Sequence, residues 1–139
     1  MIKKAVSVFI VLILLAFSVF KTYKDGKYTG TSRASYTDEP FYGHVKVTIE
    51  NGKIIKVKYF VRDSLKHEYF DSKYEKYFID NEEYIQQCRN DWKGIQSYPD
   101  SLLKYQDIDK VDVISGATWS YDIFKASAQD ALFTAENTK

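Results

Sequence analysis

The chain has one cysteine, Cys88, so it cannot form an internal disulfide, and cysteine pairing says nothing about its redox compartment. It has two histidines, His44 and His67, with no spacing that suits a metal site, and both read as solvated side chains. An excess of one charge is missing too. Twenty basic residues against nineteen acidic ones leave +1, and that balance does not support a nucleic-acid footprint. There are two prolines, no repeat and no low-complexity linker to divide the 139 residues, so length allows one domain with a modest core. No Ser-His-Asp arrangement and no catalytic pair of carboxylates is legible, so a stand-alone enzyme is disfavoured.

What the chain has in quantity is aromatic: 12 Tyr, 9 Phe and 2 Trp, enough that many rings must pack together. It also has one long apolar run. After Lys3 and Lys4, the sixteen residues from Ala5 to Phe20 carry no charge. At about 1.5 Å per residue they fall short of a roughly 30 Å hydrocarbon core, a deficit that flanking lysines offset by snorkelling. The segment predicts a signal anchor or signal peptide over residues 1–24, with a domain over 25–139 outside the cytoplasm. The expected location is the cell membrane, single-pass, or the medium if cleavage occurs near Ala16-Phe17-Ser18. No cysteine stands directly after the run to take a lipid.

Beyond the run, Val45, Val47 and Ile49 alternate with His44, Lys46 and Thr48, which predicts a half-buried strand from Tyr42 to Glu50. Ile55, Val57, Tyr59 and Val61 predict a second from Lys53 to Val61, and Asn51-Gly52 between them suits a type I′ turn. Lys27 to Tyr36 reads as a further strand. Phe70, Tyr74, Tyr77 and Phe78 fall on one helical stripe. Asp80 with Glu83 suggests a cap for the next helix, whose stripe is Tyr84, Ile85, Cys88, Trp92 and Ile95. These rings read as packing against the sheet, and Cys88 as a structural thiol. Pro99, Asp100 and Ser101 suggest the start of a short helix. Ile123, Phe124, Ala128, Ala131, Leu132 and Ala135 predict a final amphipathic one. Strands first and helices after predict an α+β domain, an antiparallel sheet with helices on one face.

Just before the last helix, Asp112-Val-Ile-Ser115-Gly116-Ala117-Thr118 crowds small residues into a turn. In the plainer reading Thr118 or Ser120 caps the helix and Gly116 supplies an unusual φ. In the sharper one, a helix N-terminus offers free N–H groups and a dipole that favour a phosphate, with the Thr118 hydroxyl at the mouth.

The run Asp112-x-x-Ser115-Gly116-Ala117-Thr118 resembles the D-x-x-[ST]-G-A-T motif of the FMN-binding domain of extracytoplasmic bacterial flavoproteins, which also occurs in sodium-pumping NADH:quinone oxidoreductase and Rnf complexes. The resemblance extends to Gly26-Lys-Tyr28-Thr-Gly30, to YGHVKVTIENGKI and to DIDKVD, and so covers nearly everything after the apolar run. It implies that a flavin transferase, with FAD as donor and Mg²⁺, joins FMN to Thr118 through a phosphoester. Asp112, Ser115, Gly116 and Ala117 would form the recognised sequence, and Trp119 or Tyr121 would lie near the flavin ring. Members often carry a Thr-Ser pair after the motif, where this chain has Trp119-Ser120-Tyr121, leaving Ser120 as the hydroxyl. The implied role is electron relay between a membrane donor and an extracellular acceptor, neither of which the residues identify. The competing expectation is a flavin-free surface module that binds a partner or serves structure.

Overall fold

A computed structural model describes residues 21–33 and 39–138. The predicted anchor over 1–24 lies almost wholly outside them, as does the end of the first predicted strand. Among the described residues no helix is long and apolar enough to cross a membrane.

The predicted hairpin forms between β2 (Phe41–Glu50) and β3 (Lys53–Asp63). At its turn Asn51 and Gly52 both hold positive φ, 52° and 72°, the backbone that a type I′ turn needs. The first strand, β1 (Gly26–Arg33), pairs antiparallel with β2, and a two-residue β4 (Glu68–Tyr69) extends the other edge of the order β1-β2-β3-β4. Val45, Val47 and Ile49 point into the core as the alternation requires. The phase expected in β3 is corrected at its start. The register shifts between Thr48 and Ile49, so Ile49 faces Ile54 while Thr48 faces Lys56. Ile55 is the extra residue of that bulge and is 48% exposed, and Ile54 is buried in its place.

Two helices cover one face of the sheet, α1 (Glu82–Tyr105) and α2 (Thr118–Asn137), as an α+β arrangement predicts. Helix α2 crosses β1 and β2, and two glycines let it come close. A Cβ at Gly30 would overlap the Ser127 carbonyl, and one at Gly43 would overlap Ile123 and reach 2.5 Å from Ser127 Oγ. Ile123, Phe124, Ala128 and Ala131 are thereby sealed against Val45, Val47 and Tyr59. Each large side chain so buried contributes roughly 1.5–3 kcal/mol. Gly43→Val should cost about 3 kcal/mol through overpacking, read as a lower urea midpoint at unchanged slope.

Three expectations for the middle of the chain are corrected. The stripe Phe70, Tyr74, Tyr77 and Phe78 is not an α-helix. Phe70 follows β4, and only Tyr74–Phe78 coils, as a 3-10 turn. The cap of α1 is Asn81, not Asp80, and its side chain accepts from the Tyr84 N–H at 3.2 Å. Pro99 does not open a helix but lies inside the 24-residue α1. The buried stripe Cys88, Asp91, Ile95, Tyr98 and Leu102 runs through it unbroken, and packing along that stripe offsets the missing N–H.

Candidate functional site

The motif begins where the chain leaves a short 3-10 turn, Ile108–Lys110, and Val111 drops into the core. From Asp112 to Gly116 every residue is exposed. The Ala117 N–H then donates to the Ile114 carbonyl at 2.9 Å and closes a turn with Ser115 and Gly116 at its centre. Gly116 has φ +82°, the left-handed backbone that a type II turn demands at this position. A Cβ there would also sit 2.8 Å from Asn90 Nδ2.

Helix α2 starts at Thr118. Its N-cap is Ala117, without a side-chain cap bond, so neither Thr118 nor Ser120 caps the helix as the plainer reading expected. The capping group is remote in sequence. Asp91 of α1, 2% exposed, accepts the Ser120 N–H on Oδ1 at 3.0 Å and Gln87 Nε2–H on Oδ2 at 2.7 Å. A buried carboxylate thus answers both an orphan N–H and the positive end of the helix dipole. Gln87 also donates to the Gly116 carbonyl at 3.0 Å. Tyr98 completes the support: its hydroxyl donates to the Ala117 carbonyl at 2.8 Å and accepts the Ile114 N–H at 3.1 Å. Burial pushes the Tyr98 phenol up, so it stays protonated and keeps both bonds. Gly94 allows this approach, since a Cβ there would meet Ser120 Oγ at 2.7 Å and Ala117 Cβ at 2.8 Å. Tyr98→Phe should cost about 1–2 kcal/mol by leaving the Ile114 N–H without its acceptor and removing one of the donors to the Ala117 carbonyl, measured by urea unfolding.

Against this frame, the predicted site residues separate. The side chains of Asp112, Ser115 and Thr118 are exposed and make no hydrogen bond among the described residues. The N–H groups of Thr118 and Trp119, the first two of α2, are likewise unpaired there. Ala117 is fully buried and acts through its backbone. Ser120 is corrected: it too is fully buried, and its hydroxyl donates to the Ala117 carbonyl at 3.1 Å, so it does not stand at the mouth. Of the two rings expected near the flavin, Tyr121 turns away and donates to the Val111 carbonyl at 2.8 Å. Trp119 points the other way, into an aromatic group.

Its ring lies edge-on to Phe41 with centroids 5.1 Å apart and 5.0 Å from Phe70, and Nε1–H donates to Glu39 at 2.9 Å. A cleft of about 240 Å³ opens here, lined by Phe41, Phe70, Phe78, Tyr84 and Trp119 among others, with Gln87 and Asp91 also on its wall. The same aromatics that pack against the sheet therefore also line a hollow beside the motif. Cys88 borders the cleft, but burial, with the Asp91 and Glu75 charges adding to it, pushes its thiol up to about 11, which fits the expected structural role. A larger cleft of about 690 Å³, by the Asn51-Gly52 turn and Tyr105, contains none of the motif residues. Exposed hydroxyl, unpaired N–H groups at a helix start, and an aromatic hollow beside them suit a flavin phosphate and its ring system.

Gln87, Asp91, Gly94 and Tyr98 were missed by sequence reasoning. The available signals were an acid and a glycine at positions that fall on an otherwise apolar helical stripe.

No curated protein matches the chain. Among solved structures, a crystal structure of a Clostridium perfringens protein is similar at 25% identity and TM-score 0.65, covering 84% of this chain and 92% of its own. A solution structure of a Clostridium thermocellum protein is similar at 20% identity and TM-score 0.47, covering 84% and 95%. The profile of the FMN-binding domain matches residues 42–133, about two-thirds of the chain and the whole stretch from β2 through the motif into α2. The chain belongs to the FMN-binding domain family, and FMN is its cofactor.

Proposed function

We propose that the protein is a membrane-tethered, extracytoplasmic flavoprotein that holds FMN through a phosphoester on Thr118 and relays electrons. The observation that carries this is the state of Thr118: its side chain is exposed and, among the described residues, unpartnered at the start of α2, raised by a turn that Gly116 shapes and that Gln87 and Tyr98 hold. In the attachment, Thr118 Oγ forms a bond to the FMN-side phosphorus of FAD while the pyrophosphate linkage breaks. The hydroxyl proton is released and AMP leaves, with a separate flavin transferase and Mg²⁺ in attendance. Asp112, Ser115 and Gly116 form the exposed surface that the transferase reads. The N–H groups of Thr118 and Trp119 are placed to hold phosphate oxygens, and Trp119 with the neighbouring cleft to shield the ring system.

When bound, FMN supplies one- or two-electron transfer, and the protein contributes attachment, orientation and partial exclusion of water. The tether is the uncharged run at residues 5–20, which leaves the donor in the membrane and the acceptor outside.

The test is co-expression of the full chain with an exported flavin transferase, followed by denaturing electrophoresis. Flavin fluorescence that travels with the unfolded chain supports the reading. A dark band beside a fluorescent control substrate of the same transferase contradicts it and favours the flavin-free surface module.

A further inference from the structure

The helices cover one face of the sheet and leave the other open. Register places Lys46 directly opposite Lys58, Lys56 opposite Thr48, which in turn faces Lys27, and Arg62 opposite Tyr42. Side chains directly opposite share a face, and these alternate with the buried Val45, Val47, Val57 and Val61, so all five cations stand on the open side. All five are exposed, and none makes an ion pair among the described residues. The only acid on β1–β3 outside the core is Glu50, at the hairpin turn opposite Lys53. Like charges directly opposite one another, as at Lys46 and Lys58, weaken a sheet. In a chain of net charge +1, five of the twenty basic residues therefore stand together on one flat surface. Rings sit among the cations: Phe60 is half-buried under His44 at 5.0 Å and Lys46 at 5.7 Å, and Tyr69 is 56% exposed beside it. Cations interleaved with rings that have one wet and one apolar side suit a lipid headgroup layer.

Position favours the membrane over a soluble partner. Only residues 21–25 separate the uncharged run from β1, and they are held on the domain, with Tyr23 buried and the Lys24 N–H donating to the Ala135 carbonyl at 3.1 Å. The run therefore ends at the body of the domain, and Lys27 of the basic face follows at once. Thr118 belongs to the helical layer on the other side. We infer that the open sheet face docks on an anionic phospholipid surface, which turns the flavin-bearing side outward. This rests on the reading that the chain is membrane-tethered.

The full chain is reconstituted in vesicles of phosphatidylcholine alone or mixed with phosphatidylglycerol, and acetylation rates of individual lysines are read by peptide mass spectrometry. Docking predicts that Lys27, Lys46, Lys56 and Lys58 react several-fold more slowly on anionic vesicles, while Lys93 and Lys104 on α1 do not change. Molar salt should remove the protection, and so should the double variant K46E/K58E. Equal rates on both vesicle types overturn the proposal, as does protection by soluble polyglutamate but not by anionic lipid. If the apolar run does not anchor, the chain stays unbound with neutral vesicles. It then still sediments with anionic ones only if the sheet face docks, so failure of the tether and failure of the face give different results.

Discussion

Thr118→Ala is expected to abolish covalent flavin completely and to leave folding stability within about 0.5 kcal/mol of the parent. Loss of modification follows because the variant removes the only hydroxyl of the motif that is both exposed and positioned at the helix start. Ser115 is exposed but lies three residues earlier in the turn, and Ser120 is buried with its hydroxyl committed to the Ala117 carbonyl. Stability is spared because the Thr118 side chain makes no hydrogen bond among the described residues and the cap position belongs to Ala117. Had Thr118 been the cap, the same change would cost about 1 kcal/mol. Thr118→Ser restores the hydroxyl and should regain flavin. In-gel fluorescence and urea unfolding of the three proteins check this together. Flavin retained in the alanine variant sinks the assignment of the attachment residue.

Asp91→Ala should have the largest effect on the support of the site. The carboxylate is 2% exposed and answers the Ser120 N–H, so its removal leaves a buried donor unpaired at the start of α2. An unpaired buried donor costs about 1–3 kcal/mol, and because this one contact is also the helix cap, a loss of about 2–3 kcal/mol is expected. Gln87 loses its anchor at the same time, and with it the hold on the Gly116 carbonyl. Flavin attachment should therefore fall in the folded fraction too, because the turn that presents Thr118 is no longer fixed. Asp91→Asn keeps an acceptor for Ser120 but sets an amide against the Gln87 amide, and about half the loss is expected. The urea midpoint and the flavin content per folded chain are the readouts. An alanine variant as stable as the parent would mean that the cap contributes nothing.

The hairpin was legible because alternation and an Asn-Gly turn both act over a few adjacent residues. The α+β arrangement followed from it. The phase of β3 was not, because the bulge that exposes Ile55 arises from the match between two strands, which neither carries alone. The false helix around Tyr74 has a similar cause. Phe70, Tyr74, Tyr77 and Phe78 happen to repeat at helical spacing, but the chain is bent upstream. Buried Asp63 accepts the Leu65 and Lys66 N–H groups and the Tyr74 hydroxyl, and His67 takes a φ of +56°. At Pro99 a local rule lost to packing, since the buried stripe of α1 carries the helix past it.

The candidate site divides in the same way. The motif is linear, and Asp112 through Thr118 could be read off directly. What holds it comes from α1, with Asp91 contacting a residue 29 positions away. Net charge concealed the basic face completely, because the balance of +1 is a sum over the whole chain and does not say where the charges stand.

The most direct measurement is peptide mass spectrometry of the full chain purified from the membranes of cells that contain an active flavin transferase. The account predicts that the peptide carrying Thr118 is heavier by FMN less one water, with fragment ions placing the addition on that threonine. An unmodified peptide from cells whose other transferase substrates are flavinylated would contradict it.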